Sequence, residues 1–258
     1  SKRSFRQYIR SKIFINRKLK LASLKEPIKL AEQWRFAPDA KFLFLTVSEK
    51  NNKWYAAITA EIPDHTLPKG LDSDPVGIDL GLTTLATLSN GQKLTKRKTS
   101  KKDKERLKRL QRRLSKKKKG SKNRLKAKTK LANLHEKMAN RREHDIQTIT
   151  TSLAKQYQNI VLETLNVKGM MKNHKLAGAI SDASLYRFKS ELKRKVLERK
   201  GTVNEASQWF PSSKLCSSCG VKNNALELKD RIWTCTNCNA IHDRDINAAT
   251  NLKTLFSV

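Results

Sequence analysis

Val76-Gly77-Ile78-Asp79-Leu80-Gly81-Leu82, running on through Thr83-Thr84-Leu85-Ala86-Thr87-Leu88-Ser89-Asn90-Gly91, decides how the rest of the chain is read. Val76, Ile78 and Leu80 alternate with Gly77, Asp79 and Gly81, so a strand sends the two sets to opposite faces. Asp79 then shares its face with two glycines, which predicts open space beside the carboxylate for a metal ion or phosphate. A second strand is expected over 85–88, and Asn90-Gly91 is a strong hairpin-turn signal. A surface acid on an edge strand would look the same in isolation, so the surrounding chain has to decide.

Charge comes next. The 258 residues hold 56 Lys or Arg against 23 acids, a net charge of +33. Such a field strains a compact chain by self-repulsion unless a polyanion neutralises it, and nucleic acid is the economical partner. An anionic membrane is the rival, but there is no long apolar run and no signal-peptide pattern, so no membrane and a cytoplasmic setting are expected. Residues 93–142 alone carry 24 Lys or Arg and three acids, a surplus of 21. Leu107, Leu110 and Leu114, then Ala127, Leu131, Leu134 and Met138, recur at helical spacing around Gly120-Ser121. This predicts two basic helices joined by a turn, whose charge suits phosphates better than a merely solvated face.

Residues 1–63 read as a partial β-domain. Ile13-Phe14-Ile15 and Leu19-Lys20-Leu21 are short apolar runs, and longer ones at 42–47 and 54–59 flank a polar turn at 49–53. The chain opens at Ser1 inside this domain, which suggests truncation at the N-terminus. A Pro- and Gly-containing linker spans 64–75. Beyond the basic helices, Ile146, Ile149, Leu153 and Tyr157 extend the helical pattern to a strand, Ile160-Val161-Leu162-Glu163, with an acid at its tip. Residues 164–176 read as a loop. Leu185, Phe188, Leu192 and Val196 mark a helix closed by Gly201, and a last strand is expected over 202–205.

Cys216-Ser-Ser-Cys219 and Cys235-Thr-Asn-Cys238 have the spacing of a four-cysteine zinc ribbon. Gly220 and Asn239 follow the two pairs, as residues tolerant of positive φ would. Four thiolates leave no open position for water, so the role expected of zinc is structural, with His242 a bystander. Directly after the ribbon, Asp243-Arg244-Asp245-Ile246-Asn247-Ala248-Ala249 suits a helix start. Alone, either acid could be a simple cap. In chain order, however, an Asp on the first strand, a Glu at a later strand tip and an Asp opening a late helix form a set.

That set resembles the RuvC-type nuclease of the transposon-encoded TnpB (OrfB) family, related to the type V CRISPR effectors. The resemblance rests on Gly-Ile-Asp-Leu-Gly at 77–81, Ile-Val-Leu-Glu-Thr-Leu-Asn-Val-Lys-Gly-Met at 160–170, and Phe-Pro-Ser-Ser-Lys-Leu-Cys-Ser-Ser-Cys-Gly at 210–220. Cys-Thr-Asn-Cys at 235–238 and Asp-Arg-Asp-Ile-Asn-Ala-Ala at 243–249 complete it. It implies an α/β, RNase H-like (RuvC) mixed sheet flanked by helices, preceded by a partial WED-like β-domain. The nuclease core would span 76–210 with its basic helical insertion at 93–142, the zinc ribbon 211–240, and the rest of the core 241–258.

The resemblance also implies Asp79, Glu163 and Asp245 as catalytic carboxylates holding a pair of Mg²⁺ ions for two-metal hydrolysis, with Asp243 second choice for the third. Cys216, Cys219, Cys235 and Cys238 would hold Zn²⁺. DNA is the implied substrate and a guide RNA the implied partner. Three other classes fit parts of the pattern. Actin- and Hsp70-like ATPases share the Gly-Ile-Asp-Leu-Gly loop but need a second phosphate loop. A non-cleaving zinc-ribbon binder would not need the acids, and an accessory protein of transposition would keep an intact nuclease centre that works only in a larger assembly.

Overall fold

The computed structural model describes residues 4–9, 14–15, 17–21, 24–32, 39–62, 67–97, 99–227 and 229–256. It divides into two compact units, Ser1–His65 and Thr66–Val258.

In the first unit, β1 (Ser4–Tyr8), β5 (Lys41–Lys50) and β6 (Lys53–Glu61) form one antiparallel sheet; β2 (Phe14–Ile15), β3 (Lys18–Leu19) and β4 (Ile28–Lys29) form another. The β5–β6 hairpin turns at Asn51 and Asn52, both with positive φ, as a tight two-residue turn needs. The strands thus continue into the polar segment expected as turn. Leu19, Leu21, Leu45 and Val47 form the small core. Ile13 lies outside the described residues.

The second unit is built on a five-stranded mixed sheet. Its strands are β7 (Val76–Leu80), β8 (Ala86–Leu88), β9 (Lys93–Leu94), β10 (Asn159–Leu162) and β11 (Thr202–Glu205), in the order β11-β10-β7-β8-β9. β7, β8 and β9 pair antiparallel, with Gly91 at φ +87° in the β8–β9 turn that Asn90-Gly91 predicts. β10 lies parallel to both β7 and β11. Parallel pairing demands a long crossover, supplied by α1 (Lys101–Ser115) and the 35-residue α2 (Lys122–Gln156). Ser100 and Ser121 cap these helices, accepting from the amides of Asp103 and Arg124. The basic hairpin is not separate from the core: the last turns of α2 bury Ile146, Leu153 and Ala154. Residues 70–72 bond to the end of α2, where the amides of Leu71 and Asp72 donate to Lys155 and Gln156.

Residues 164–176 are not a plain loop. They contain α3 (Val167–Met171) and the start of α4 (His174–Ala183), with Asn166 capping α3 through the amide of Gly169. An Asn cap was the available signal there. α5 (Leu185–Leu197) follows, and its closing left-handed residue is Lys200 at φ +57° rather than Gly201. Gly201 is required for a different reason: a Cβ there would lie 2.3 Å from the carbonyl of Gln158.

The sheet is covered on both sides. Val76, Ile78, Leu80, Ile160 and Leu162 join Leu153, Phe188, Leu192 and Val196 in the main core. On the other side Val161 packs with Leu252 of α6 (Arg244–Lys253). A Cβ on Gly77 would meet the Ala249 carbonyl at 1.9 Å and the Lys253 amide at 2.5 Å. One on Gly81 would meet the Thr84 carbonyl at 2.6 Å. The glycines flanking Asp79 therefore admit backbone, not a ligand, which corrects the reading of that face as open.

Gly77→Ala is expected to destabilise the protein by about 2–3 kcal/mol or more, because neither contacting atom is a movable side chain. Urea melts would show it; an unchanged midpoint would mean that α6 can shift without cost.

Candidate functional site

Ile78 of β7 stands opposite Leu162 of β10, so Asp79 and Glu163 follow level with each other at the same end of the sheet. Glu163 lies one residue past β10, and its Oε1 accepts a 2.7 Å hydrogen bond from the Leu80 amide. That bond ties the second acid to the strand bearing the first. Asp245 sits in the first turn of α6, the helix packed on β7. Its Oδ1 is 3.4 Å from Arg231 and 3.5 Å from Arg244.

These acids sense one another. Burial pushes the Asp79 carboxyl well above the usual range, Glu163 and Asp245 push it further, and Arg244 and Arg231 offset only part of this. Burial likewise pushes Glu163 up to about 7, against the Leu80 amide and Lys189, with Asp245 adding to the rise. Beside Glu163 opens a cleft of about 360 Å³ whose walls include Tyr186, Lys189 and Lys193.

Asp243 has a separate occupation. It is the N-cap of α6, accepting from the amides of Asp245 and Ile246 at 3.1 Å, and it pairs with Lys93 at 2.7 Å. Burial alone would raise its carboxyl, but the Lys93 and amide hydrogen bonds hold it below the usual range.

The four cysteines converge. Cys216 and Cys238 Sγ are 3.6 Å apart, as are Cys219 and Cys235, and all four lie within 4.8 Å of one another. This is far beyond a disulfide bond and matches thiolates around a tetrahedral ion. Among the described residues no other set of three or more His, Cys, Asp or Glu is gathered as a candidate metal cage. Gly220 at φ +76° and Asn239 at +57° turn the knuckles as expected, and the Cys216 and Cys235 amides donate to Val221 and Ala240. The Val221 amide and the Asn237 side chain bring Cys219 down to about 6, and the amides of Cys238 and Asn237 lower Cys235. Despite the Ala240 amide, burial and the other three sulfurs push Cys238 up to about 12. A cation among them would relieve that crowding, so the donor set fits a metal ion.

Three residues do more here than the sequence suggested. His242 stands outside the four-cysteine group but supports it: it is buried, its Nε2 lies 3.1 Å from Cys216 Sγ, and its ring packs on Trp233 with centroids 4.8 Å apart. Asn247 is also buried. Its Oδ1 accepts from the Ser217 amide at 2.9 Å, and its Nδ2 donates to the Leu215 carbonyl at 2.6 Å. Asn251, one turn on, donates to the Ser212 and Leu215 carbonyls. The only signal for these clamps was two amides at i and i+4 on an otherwise apolar helix face.

Comparison with known proteins agrees with this architecture. Residues 57–174 match the model of the family described as "Probable transposase", and residues 186–252 match "Cas12f1-like, TNB domain". A Streptomyces pristinaespiralis protein named as an RNA-guided DNA endonuclease is 38% identical over 252 residues, covering 97% of this chain and 62% of that protein. The similarly named InsQ of Escherichia coli (strain K12) is 32% identical over 225 residues, covering 81% of this chain and 55% of its own length. A solved structure, "Cryo-EM structure of the Cas12f1-sgRNA-target DNA complex", shares the fold with a TM-score of 0.59 at 20% identity, over 83% of this chain and 46% of that one. The chain belongs to the TnpB (OrfB) family. It spans about half to three fifths of the length of the curated relatives it matches.

The raised acid at 79 makes a stability prediction. Its folded value exceeds the unfolded one, so its contribution is fully present below about pH 4 and is lost as pH rises toward the folded value. In metal-free protein, Asp79→Asn should raise Tm by a few degrees at neutral pH, at roughly 2–4 °C per kcal/mol, and by less near pH 4. Paired thermal melts at the two pH values check this; equal shifts at both would mean that Asp79 carries no such repulsion.

Proposed function

We propose that this chain is the nuclease portion of an RNA-guided, metal-dependent DNA endonuclease, with Asp79, Glu163 and Asp245 as the carboxylates of an RNase H-like (RuvC) core. The observation that most supports this is the placement of three acids, Asp79 on β7, Glu163 tied to the same strand through the Leu80 amide, and Asp245 in the first turn of the helix packed on β7, in a chain with a large cationic excess. Three carboxylates offer the hard oxygen ligands that Mg²⁺ takes, and a bound pair of Mg²⁺ would supply activation of water and stabilisation of the leaving oxygen. The chain's own residues then have distinct tasks. The Leu80 amide fixes the Glu163 carboxylate, and Arg231 and Arg244 steady Asp245.

In this reading the nuclease core covers 76–210 and 241–258, with a zinc ribbon at 211–240, a linker at 64–75 and a partial β-domain at 1–63. Zn²⁺ in the four-cysteine site is structural, since its ligand set is complete. A guide RNA pairs with the target while the protein holds backbone, and the work is done in the prokaryotic cytoplasm. Among the described residues, no helix is long and apolar enough to cross a membrane.

The test is Mg²⁺-dependent cleavage of target DNA by the full-length protein with its guide RNA. Asp79→Ala, Glu163→Ala and Asp245→Ala should each lower the rate by several orders of magnitude while leaving nucleic-acid binding intact. Asp243→Ala should lower stability by about 1 kcal/mol through loss of the cap, with a smaller loss of rate. Retained cleavage in Asp79→Ala would overturn the reading; binding without cleavage by the parent protein would favour the non-cleaving alternative.

The ribbon gives a second test. The purified protein should carry one zinc per chain, and Cys216→Ser or Cys235→Ser should release it and loosen residues 211–240 while the sheet persists. Metal analysis with hydrogen exchange reads both; zinc retained in full by either variant would exclude this site.

A further inference from the structure

Acids and bases are unevenly matched along the α1–α2 hairpin. At its base Asp103 bonds Arg141 at 2.6 Å, and Asp145 bonds Arg97 at 2.9 Å through Nε. Further out, a cleft of about 440 Å³ lies between the helices, lined by Arg106, Arg109 and Arg113 from α1 and Lys130 and Lys137 from α2. The arginines stand at i, i+3 and i+7, and the lysines at i and i+7, so each helix turns one stripe of cations into the same gap. Its floor is apolar, with Leu134 buried, and no carboxylate lines it. None of the five cations makes an ion pair among the described residues. Asp103 reaches Lys137 electrostatically, but its carboxylate is already held by Arg141.

A solvated face would be expected to spread such charges apart. Here five converge, although α1 buries no residue that could offset their repulsion. We propose that this cleft is a binding site for the sugar–phosphate backbone of a nucleic acid, gripping two or three consecutive phosphates of one strand. Arg106 to Arg113 spans about 10 Å of helix axis at 1.5 Å per residue, long enough for that many nucleotides. Arginine forks hold phosphate oxygens from one wall and lysines supply point charge from the other. The proposal rests on the nucleic-acid part of the function above and is independent of its cleavage chemistry.

The experiment compares two variants that remove equal charge from one helix. Arg106→Gln/Arg109→Gln/Arg113→Gln empties one wall of the cleft, and Lys104→Gln/Lys108→Gln/Arg112→Gln changes the adjacent exposed face. Binding of a fluorescein-labelled DNA duplex, and separately of an RNA strand, is followed by anisotropy in EDTA over a fourfold range of salt. The cleft variant should lower the salt slope by about 2 to 3 and weaken binding by roughly tenfold or more, the control by much less. If both polymers respond, the shared backbone is the ligand; if only one does, that polymer is its source. Equal losses in the two variants would overturn the cleft in favour of diffuse attraction. As a second measurement, inorganic phosphate should raise Tm in the parent and control proteins and not in the cleft variant, which also verifies that each folds. No binding to either nucleic acid by the parent would overturn this proposal and the partner assignment together. A failure of the carboxylate variants to affect cleavage would touch only the nuclease reading.

Discussion

The contact between Gly77 on β7 and the backbone of α6 governs the geometry of the second unit. At that crossing the helix lies against bare strand, with room for nothing beyond hydrogen at residue 77. The small Ala248 and Ala249 on the facing helix surface are buried there, so both partners are sized for close approach. Because β7 is central, its other face is free to carry Val76, Ile78 and Leu80 into the main core. Close packing on both sides leaves the strand little freedom, and the first turn of α6 is carried toward the end of β7 at which Asp79 emerges. Backbone contact sets the helix position more sharply than interdigitating side chains would, since it has no rotamers to absorb error.

Against that frame the acids of the second unit divide into two groups. Glu191 is bridged by Arg187 at 3.0 Å and Arg194 at 2.9 Å, and Glu205 by Lys189 at 2.7 Å and Lys193 at 3.3 Å. The Arg194 and Gln147 hydrogen bonds hold Glu191 below the usual range, and the Lys189 hydrogen bond does the same for Glu205. In a chain this rich in cations such pairing is the default outcome. Asp79 and Glu163 depart from it: burial raises both, and at Asp79 the neighbouring Glu163 and Asp245 add more than Arg244 and Arg231 take away. Buried acids with raised carboxyls and no close cationic partner are the kind of perturbed group that clusters at functional sites.

Much of this was legible in the sequence because it follows from local periodicity. The alternation at 76–80 and the apolar run at 160–162 mark the two strands, and heptad-like spacing marks α5. The cysteine pairs, with Gly220 and Asn239 behind them, contain their whole geometry within a few residues. What escaped depends on contacts distant in sequence. Gly77 and Gly201 look like sites of conformational freedom, whereas each is small because another segment's backbone passes within 3 Å. His242, Asn247 and Asn251 look like ordinary polar residues until the ribbon folds back and supplies a thiol, an amide and two carbonyls for them. The carboxylate trio falls between these cases: order along the chain suggested it, and the parallel β7–β10 register supplies the proximity of its first two members.

Those long-range contacts bear on why a cysteine cluster adjoins the acids at all. β12 (Ile232–Thr234) and β13 (Ile241–Asp243) pair antiparallel, and β13 runs directly into α6, so the second knuckle and Asp245 are separated by only a few residues. Asn247 and Asn251 bind the first knuckle's approach segment to the same helix, while Arg231 places a ribbon cation beside Asp245. His242 contacts Cys216 from within β13 itself. α6 is thereby held along its length: by Gly77 against Ala249 and Lys253 in its later turns, and at its start by the Asp243 cap and the cysteine-bearing segments. A helix terminus normally frays, because its first amides lack partners within the helix. Here the cap, the two buried asparagines and the ribbon suppress that fraying at the turn that carries Asp245. The four-cysteine site can therefore matter to the acids without contributing any ligand to them, by fixing where the third one stands.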